Sequence, residues 1–169
     1  MKKLVFTFAL LFAFNTVSAQ DIFAAVKGDD LTVVEQLIKN GTDINQADMR
    51  GFTPLILAVY NNKPEVVKLL LANGANPNAQ DSSGNNALMG AAFKGYPEMI
   101  DILINANADI NQVNGNGATP LIFAVTFGRN DIAKKLIEAG ADKSIKDSRG
   151  NTAKDHAILQ ENIEIIELL

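Results

Sequence analysis

Apolar residues gather in short blocks separated by polar, glycine-containing breaks. Leu55 to Tyr60 forms one apolar run, and Asn61-Asn62-Lys63-Pro64 interrupts it. From Pro64 to Ala72, Val66, Val67, Leu69, Leu70 and Leu71 make the chain apolar again, and Gly74 follows. Thr53 stands where a helix cap is wanted, and Pro54 suits the first helical position. Gly41, Gly74 and Gly140 fall where a helix ends in a left-handed residue, with Asn107 in the same role. The pattern predicts a turn followed by two antiparallel helices, with no strand beyond the short arms of the turn.

This unit recurs every 33 residues. Gly51, Gly84, Gly117 and Gly150 keep that spacing, each with Asp48, Asp81, Asn114 or Asp147 three residues before it. Thr53, Asn86, Thr119 and Thr152 repeat in step, as do Ala25, Ala58, Ala91, Ala124 and Ala157. Segments 52–84 and 118–150 are identical at 13 of 33 positions without a gap. One register kept through four units signifies a stacked repeat array. The Asp or Asn before each glycine predicts a tight turn in which the side chain bonds local backbone.

The stretches Gly51-Phe52-Thr53-Pro54-Leu55-Ile56-Leu57-Ala58 and Thr119-Pro120-Leu121-Ile122-Phe123-Ala124 resemble the G-x-T-P-L-H-x-A signature of the ankyrin repeat family. Residues Lys68 to Asn78, Leu103 to Asn111 and Leu136 to Ser144 are similar to that family's second-helix ending and the turn after it. The resemblance implies an all-α solenoid over 20–169. Its parts would be an N-terminal capping unit (20–50), full repeats 51–83, 84–116 and 117–149, and a C-terminal capping unit (150–169). The family's histidine is replaced by Ile56, Met89 and Ile122, which puts its hydrogen bonds in doubt but not the helix packing. Lys27, Asp29, Asp30 and Glu35 are expected to supply the polar outer surface of the first unit. Ile163, Ile165, Ile166, Leu168 and Leu169 leave apolar surface near the other end, read as the last helix docking on the unit before it, with a partner or self-association surface as the alternative. The unit 85–117 departs most from the pattern, with Ala87 for proline, Gly90 inside a helix and Asn107 for glycine. It is expected to exchange its amide hydrogens faster than its neighbours.

The resemblance also implies a curved stack that meets a protein partner with its concave face, made by the turn tips and the exposed side of each first helix. Carried over position by position, the tips are Met49, Arg50 and Phe52; Ser82, Ser83 and Asn85; Asn116 and Ala118; and Ser148, Arg149 and Asn151. The helix positions are Tyr60 and Asn61, Phe93 and Lys94, Thr126 and Phe127, and Leu159 and Gln160. Four large aromatics fall in this set, and aromatic and arginine residues are the usual anchors of an interface. Phe93 and Phe127 have a second reading, as fillers between helices.

The first twenty residues follow another pattern. Lys2 and Lys3 precede an apolar run of 11 residues, Leu4 to Phe14, broken only by Thr7. Val17 and Ala19 fit the small-residue positions of a signal-peptidase site, with the cut between Ala19 and Gln20. The run is short against the roughly 20 residues needed to span a bilayer. Residues 1–19 are therefore read as a cleaved export signal of bacterial type. The expected destination is the periplasm, with secretion as the alternative. Lys2 and Lys3 are the only charged residues in 1–19. The remainder thus carries 13 basic and 19 acidic residues, a net charge of −6. An acidic chain is a poor match for nucleic acid or an anionic membrane surface.

Candidate chemistry is sparse. There is no cysteine, and His156 is the sole histidine, which leaves no thiolate or histidine-pair metal site. Ser18 leaves with the signal, and Ser82, Ser83, Ser144 and Ser148 fall in turns without a nucleophile elbow around them. Asn114-Gly115-Asn116-Gly117 lacks the Lys-Ser/Thr ending of a phosphate loop and reads as a flexible turn tip. Asp43, Asp81, Asp109, Asp142 and Asp147 recur at repeat spacing and read as turn caps, not as a calcium array. Asn40-Gly41-Thr42 is a formal glycosylation sequon, but Gly41 is already explained by helix capping. With no candidate chemistry found, the resemblance implies a cofactor-free binding protein, expected to be monomeric. The alternatives are an accessory or protective subunit of a cell-envelope enzyme and a secreted effector.

Overall fold

The computed structural model describes residues 21–169. The export signal and the Ala19–Gln20 cut read from the sequence lie outside the described residues. The described chain is all-helical, in the order α1 (Ile22–Gly28), α2 (Leu31–Lys39), α3 (Pro54–Tyr60), α4 (Pro64–Ala72), α5 (Ala87–Lys94), α6 (Pro97–Asn105), α7 (Pro120–Thr126), α8 (Asn130–Glu138), α9 (Ala153–Leu159) and α10 (Ile163–Ile166).

The capping residues do what their types predict. Thr53 Oγ1 accepts from the Ile56 N–H at 3.2 Å, and Thr119 does the same for Ile122. Asn86 caps α5 through the Met89 N–H at 2.9 Å, and Thr152 caps α9 in a reciprocal box with Asp155. Gly74, two residues past the end of α4, has φ 91°, and the Ala75 N–H returns to the Leu70 carbonyl at 3.0 Å. Asn107 takes the same left-handed conformation at φ 58°.

The odd-numbered helices stack side by side in one layer and the even-numbered helices in a second. Ala25, Ala58, Ala91, Ala124 and Ala157 lie buried along the first layer, where a larger side chain would force neighbouring helices apart. Val66, Val67 and Leu70, Met99, Ile100 and Leu103, and Ile132 and Leu136 fill the space beneath them. Ile56, Met89 and Ile122 are buried at the family's histidine position, so apolar packing occupies that place.

Two hydrogen-bond ladders join successive units. At the tips, Ser82 N–H donates to Arg50 O, Gly115 N–H to Ser83 O and Ser148 N–H to Asn116 O, at 2.8–3.0 Å. At the opposite end, the side-chain carbonyls of Asn45, Asn78 and Asn111 accept from the N–H of Asn76, Asp109 and Asp142, at 2.7–2.8 Å. The tip ladder explains Gly51. Its φ is 79°, and a Cβ there would stand 2.5 Å from the Ser82 nitrogen. It also ties Asn114–Gly117, read from the sequence as a flexible turn tip, to the turn before it. Gly115 is bonded to the unit before it, and Asn114 Nδ2 donates to Asn85 Oδ1 at 2.8 Å.

Asp29 and Asp30 are exposed, as expected of the first unit, and both are also bonded. Asp29 pairs with Lys63 of the next unit at 3.3 Å, and Asp30 caps α2 through the Val33 N–H. Gly90 is more than a weak helical residue, because the Tyr60 ring lies where its Cβ would be, 2.7 Å from the ring's Cε2. At the C-terminal end Ile165 is fully buried and docks α10, while Ile163 and Leu168 stay exposed. No described helix is long and apolar enough to cross a membrane.

Candidate protein-binding face

The turn tips and the ends of the first helices line up along one side because the 33-residue repeat returns each to the same place. Two aromatic clusters form there. In the first, the Phe52 and Tyr60 rings stack with centroids 5.2 Å apart. The Arg50 guanidinium lies 4.5 Å above Phe52, and the Lys94 ammonium 5.8 Å from the Tyr60 centroid. Burial against Gly90 and its neighbours pushes the Tyr60 hydroxyl above its usual range, with the Asp81 charge adding to the shift. In the second, Phe93 meets Phe127 edge-on at 4.7 Å, and Phe123 tilts against Phe127 at 5.9 Å. Phe93 is half-buried, whereas Phe127 remains 45% exposed. Phe127 is therefore not simply a filler between helices.

The remaining expected residues divide by what they already bond. Met49, Ser82, Ser83, Lys94, Asn116, Thr126 and Arg149 have exposed side chains. Arg50 is exposed but paired with Asp48 at 3.1 Å. Asn61 Nδ2 donates to the Leu57 carbonyl at 2.8 Å, closing α3. Asn85 is half-buried and committed to Asp81 and Asn114, which makes it part of the turn ladder. Ala118 is buried. Leu159 is 74% exposed, and Gln160 Nε2 donates to the Thr126 carbonyl at 2.8 Å.

The turn carboxylates are turned inward. Asp48 Oδ1 accepts from the Arg50 and Phe52 N–H groups, Asp81 Oδ1 from Ser83 and Asn85, and Asp147 Oδ1 from Arg149 and Asn151. The Asn151 N–H and then the His156 ring hold the Asp147 carboxyl below the usual range. For Asp48, burial pushes the carboxyl up, but the Phe52 and Arg50 backbone N–H groups and the Arg50 guanidinium together leave it low.

Sequence reasoning missed one feature of this side. A hollow of about 420 Å³ opens between the turn tips and the second aromatic cluster, with Ile122, Phe123, Phe127, Asn116, Ser148 and Arg149 around it. Asp147 and His156 also line it, bonded Oδ2 to Nε2 at 2.8 Å. The signal for Phe123 and His156 was the repeat itself, since they share a register with Leu57 and Gly90. What lay beyond sequence was that Phe123 turns toward this hollow. Ser148 lines it too. Among the described residues, no group of His, Asp or Glu side chains converges to hold a metal ion.

A family model described as ankyrin repeats (3 copies) matches residues 22–114 and 88–169. No curated protein matches the chain.

Proposed function

The chain belongs to the ankyrin repeat family, and on that premise we propose that it is an exported scaffold. It holds a protein partner against its concave face and turn tips, with no cofactor and no catalysis of its own. Ankyrin repeats commonly mediate protein–protein interaction and are generally non-enzymatic. The observation that carries the reading is the pair of aromatic clusters on the tip side. Phe52 and Tyr60 pack partly against the core, yet Phe127 stays 45% exposed and the Phe52–Tyr60 stack lies beneath Arg50. Aromatic groups that the fold leaves near solvent are what an interface uses as anchors.

Export rests on Lys2, Lys3, the Leu4–Phe14 run and the Val17-Ser18-Ala19 ending. It places the partner in the periplasm or, if the chain travels further, outside the cell. Fractionation with N-terminal sequencing tests this part, and a mature chain beginning at Gln20 in the periplasm is expected. The partner is tested by crosslinked capture from the cell envelope. Wild type is compared with a chain in which Phe52, Tyr60, Phe93 and Phe127 are changed to Ser and helicity is retained. One protein held by wild type and lost by the variant supports the reading. Equal capture by both moves the contact off this face.

A further inference from the structure

Cations and carboxylates are distributed unequally over the molecule. On the even-numbered helices Lys39, Lys68, Lys134 and Lys135 each pair with Glu or Asp. On the tip side Lys27, Lys94 and Arg149 are exposed and have no carboxylate partner among the described residues. Lys27 belongs to this side because it stands 33 positions before Tyr60. The carboxylates nearby are already engaged. Both oxygens of Asp147 are bonded, one to two backbone N–H groups and the other to His156. A partner seated here meets unpaired cations and satisfied anions, so carboxylates are what it can bring at a gain.

The hollow between the turn tips at 114–118 and 147–149 concentrates that asymmetry. One wall is apolar, made by Ile122, Phe123 and Phe127. Arg149 stands on the other side, and its guanidinium has no hydrogen-bond partner within the described chain. Its volume of about 420 Å³ falls within the range of pockets that bury a compact group. An arginine beside an apolar wall favours a planar carboxylate attached to an apolar body, since the guanidinium fork can bind both carboxylate oxygens.

We propose that this hollow, resting on the concave-face reading above, receives an acidic–hydrophobic segment of the partner protein. An apolar side chain sits against Phe123 and Phe127, and the carboxylate of an adjacent Asp or Glu lies on Arg149. The preference is for acidic over basic neighbours, and it is set locally by Arg149 against the chain's overall negative charge. The overall charge alone would favour a basic partner, so the two expectations have opposite sign.

The test uses protein purified from cells expressing the full chain, labelled with nitrogen-15. The probes are acetylated and amidated glycine–serine peptides that carry phenylalanine beside glutamate, glutamine or lysine, in either order. Amide shifts are expected to concentrate around Phe123, Phe127 and Arg149. The glutamate peptide is expected to bind about two- to fivefold more tightly than the glutamine peptide, with the lysine peptide weakest. Arg149→Gln removes the difference between the glutamate and glutamine peptides, while Phe127→Ala weakens all three. Tighter binding of the lysine peptide, shifts confined to the even-numbered helices, or no shift at millimolar peptide would each overturn the proposal. A partner captured by wild type, lost by the four-aromatic variant and retained by Arg149→Gln would sink this inference alone and leave the scaffold reading standing.

Discussion

Replacing Gly90 by Ala separates helix propensity from packing. In an ordinary helix interior the change stabilises by about 1 kcal/mol, because alanine loses less backbone entropy. Here the added methyl would stand 2.7 Å from Tyr60 Cε2 and 3.2 Å from Cδ2. The ring has to move, and it is stacked on Phe52 at 5.2 Å. Crowding of this kind costs about 1–3 kcal/mol, of which the lost ring contact is about 0.5–1.5 kcal/mol. Taking the middle of the first range against the propensity gain, Gly90→Ala is expected to destabilise by about 1 kcal/mol. With Tyr60→Ala the obstacle is gone, and the same change should stabilise by about 1 kcal/mol. The coupling between the two sites is then about 2 kcal/mol, well outside additivity. Urea unfolding of the four chains, followed by far-UV circular dichroism, measures it. If Gly90→Ala stabilises both backgrounds equally, the argument that Tyr60 requires a glycine beneath it is refuted.

Other outcomes follow from the ladders, the turns and the carboxylates. Gly51→Ala, facing Ser82 N at 2.5 Å, should destabilise far more than Gly150→Ala, which meets nothing within 4 Å although both glycines have positive φ. Left-handed strain of about 1–2 kcal/mol is common to both, so thermal melts of the pair isolate the clash. Asn78→Ala removes the acceptor for the Asp109 N–H and is expected to lower stability by about 0.5–1.5 kcal/mol in urea titration. The Asp48 and Asp147 carboxyls lie below their ordinary value in the folded chain. Their stabilisation is complete above the unfolded value near about 3.9 and is lost as pH falls through the lower folded values. Urea midpoints should therefore drop below about pH 4, and Asp48→Asn with Asp147→Asn should flatten that drop. Hydrogen exchange resolved by unit is expected to show α5 and α6 less protected than α3 and α4, reflecting Gly90 and Asn107. Equal protection would reject that.

The sequence by itself determined the helix pair and the residues at which its helices start and stop. Thr53, Pro54, the Asn61–Pro64 break and Gly74 act through backbone conformation and local hydrogen bonds, which depend only on nearby chain. The 33-residue register placed the tips and first-helix ends on one side, because identical units stack by a repeated operation. Tertiary structure decided which of those side chains are free. Asn85 and Asn116 are both read from the sequence as turn-tip residues. Only the neighbouring turn shows that Asn85 is bonded to Asn114 while the Asn116 side chain remains exposed. The Asn45, Asn78 and Asn111 ladder was present in the spacing, yet its meaning depended on a donor that lies 31 residues further along the chain. Gly90 read as a defect until the Tyr60 ring appeared above it. The hollow beside Phe123 exists only once two turns and a helix have been brought together. Local chemistry is written in short stretches of chain, whereas the availability of a surface depends on what the adjacent unit covers.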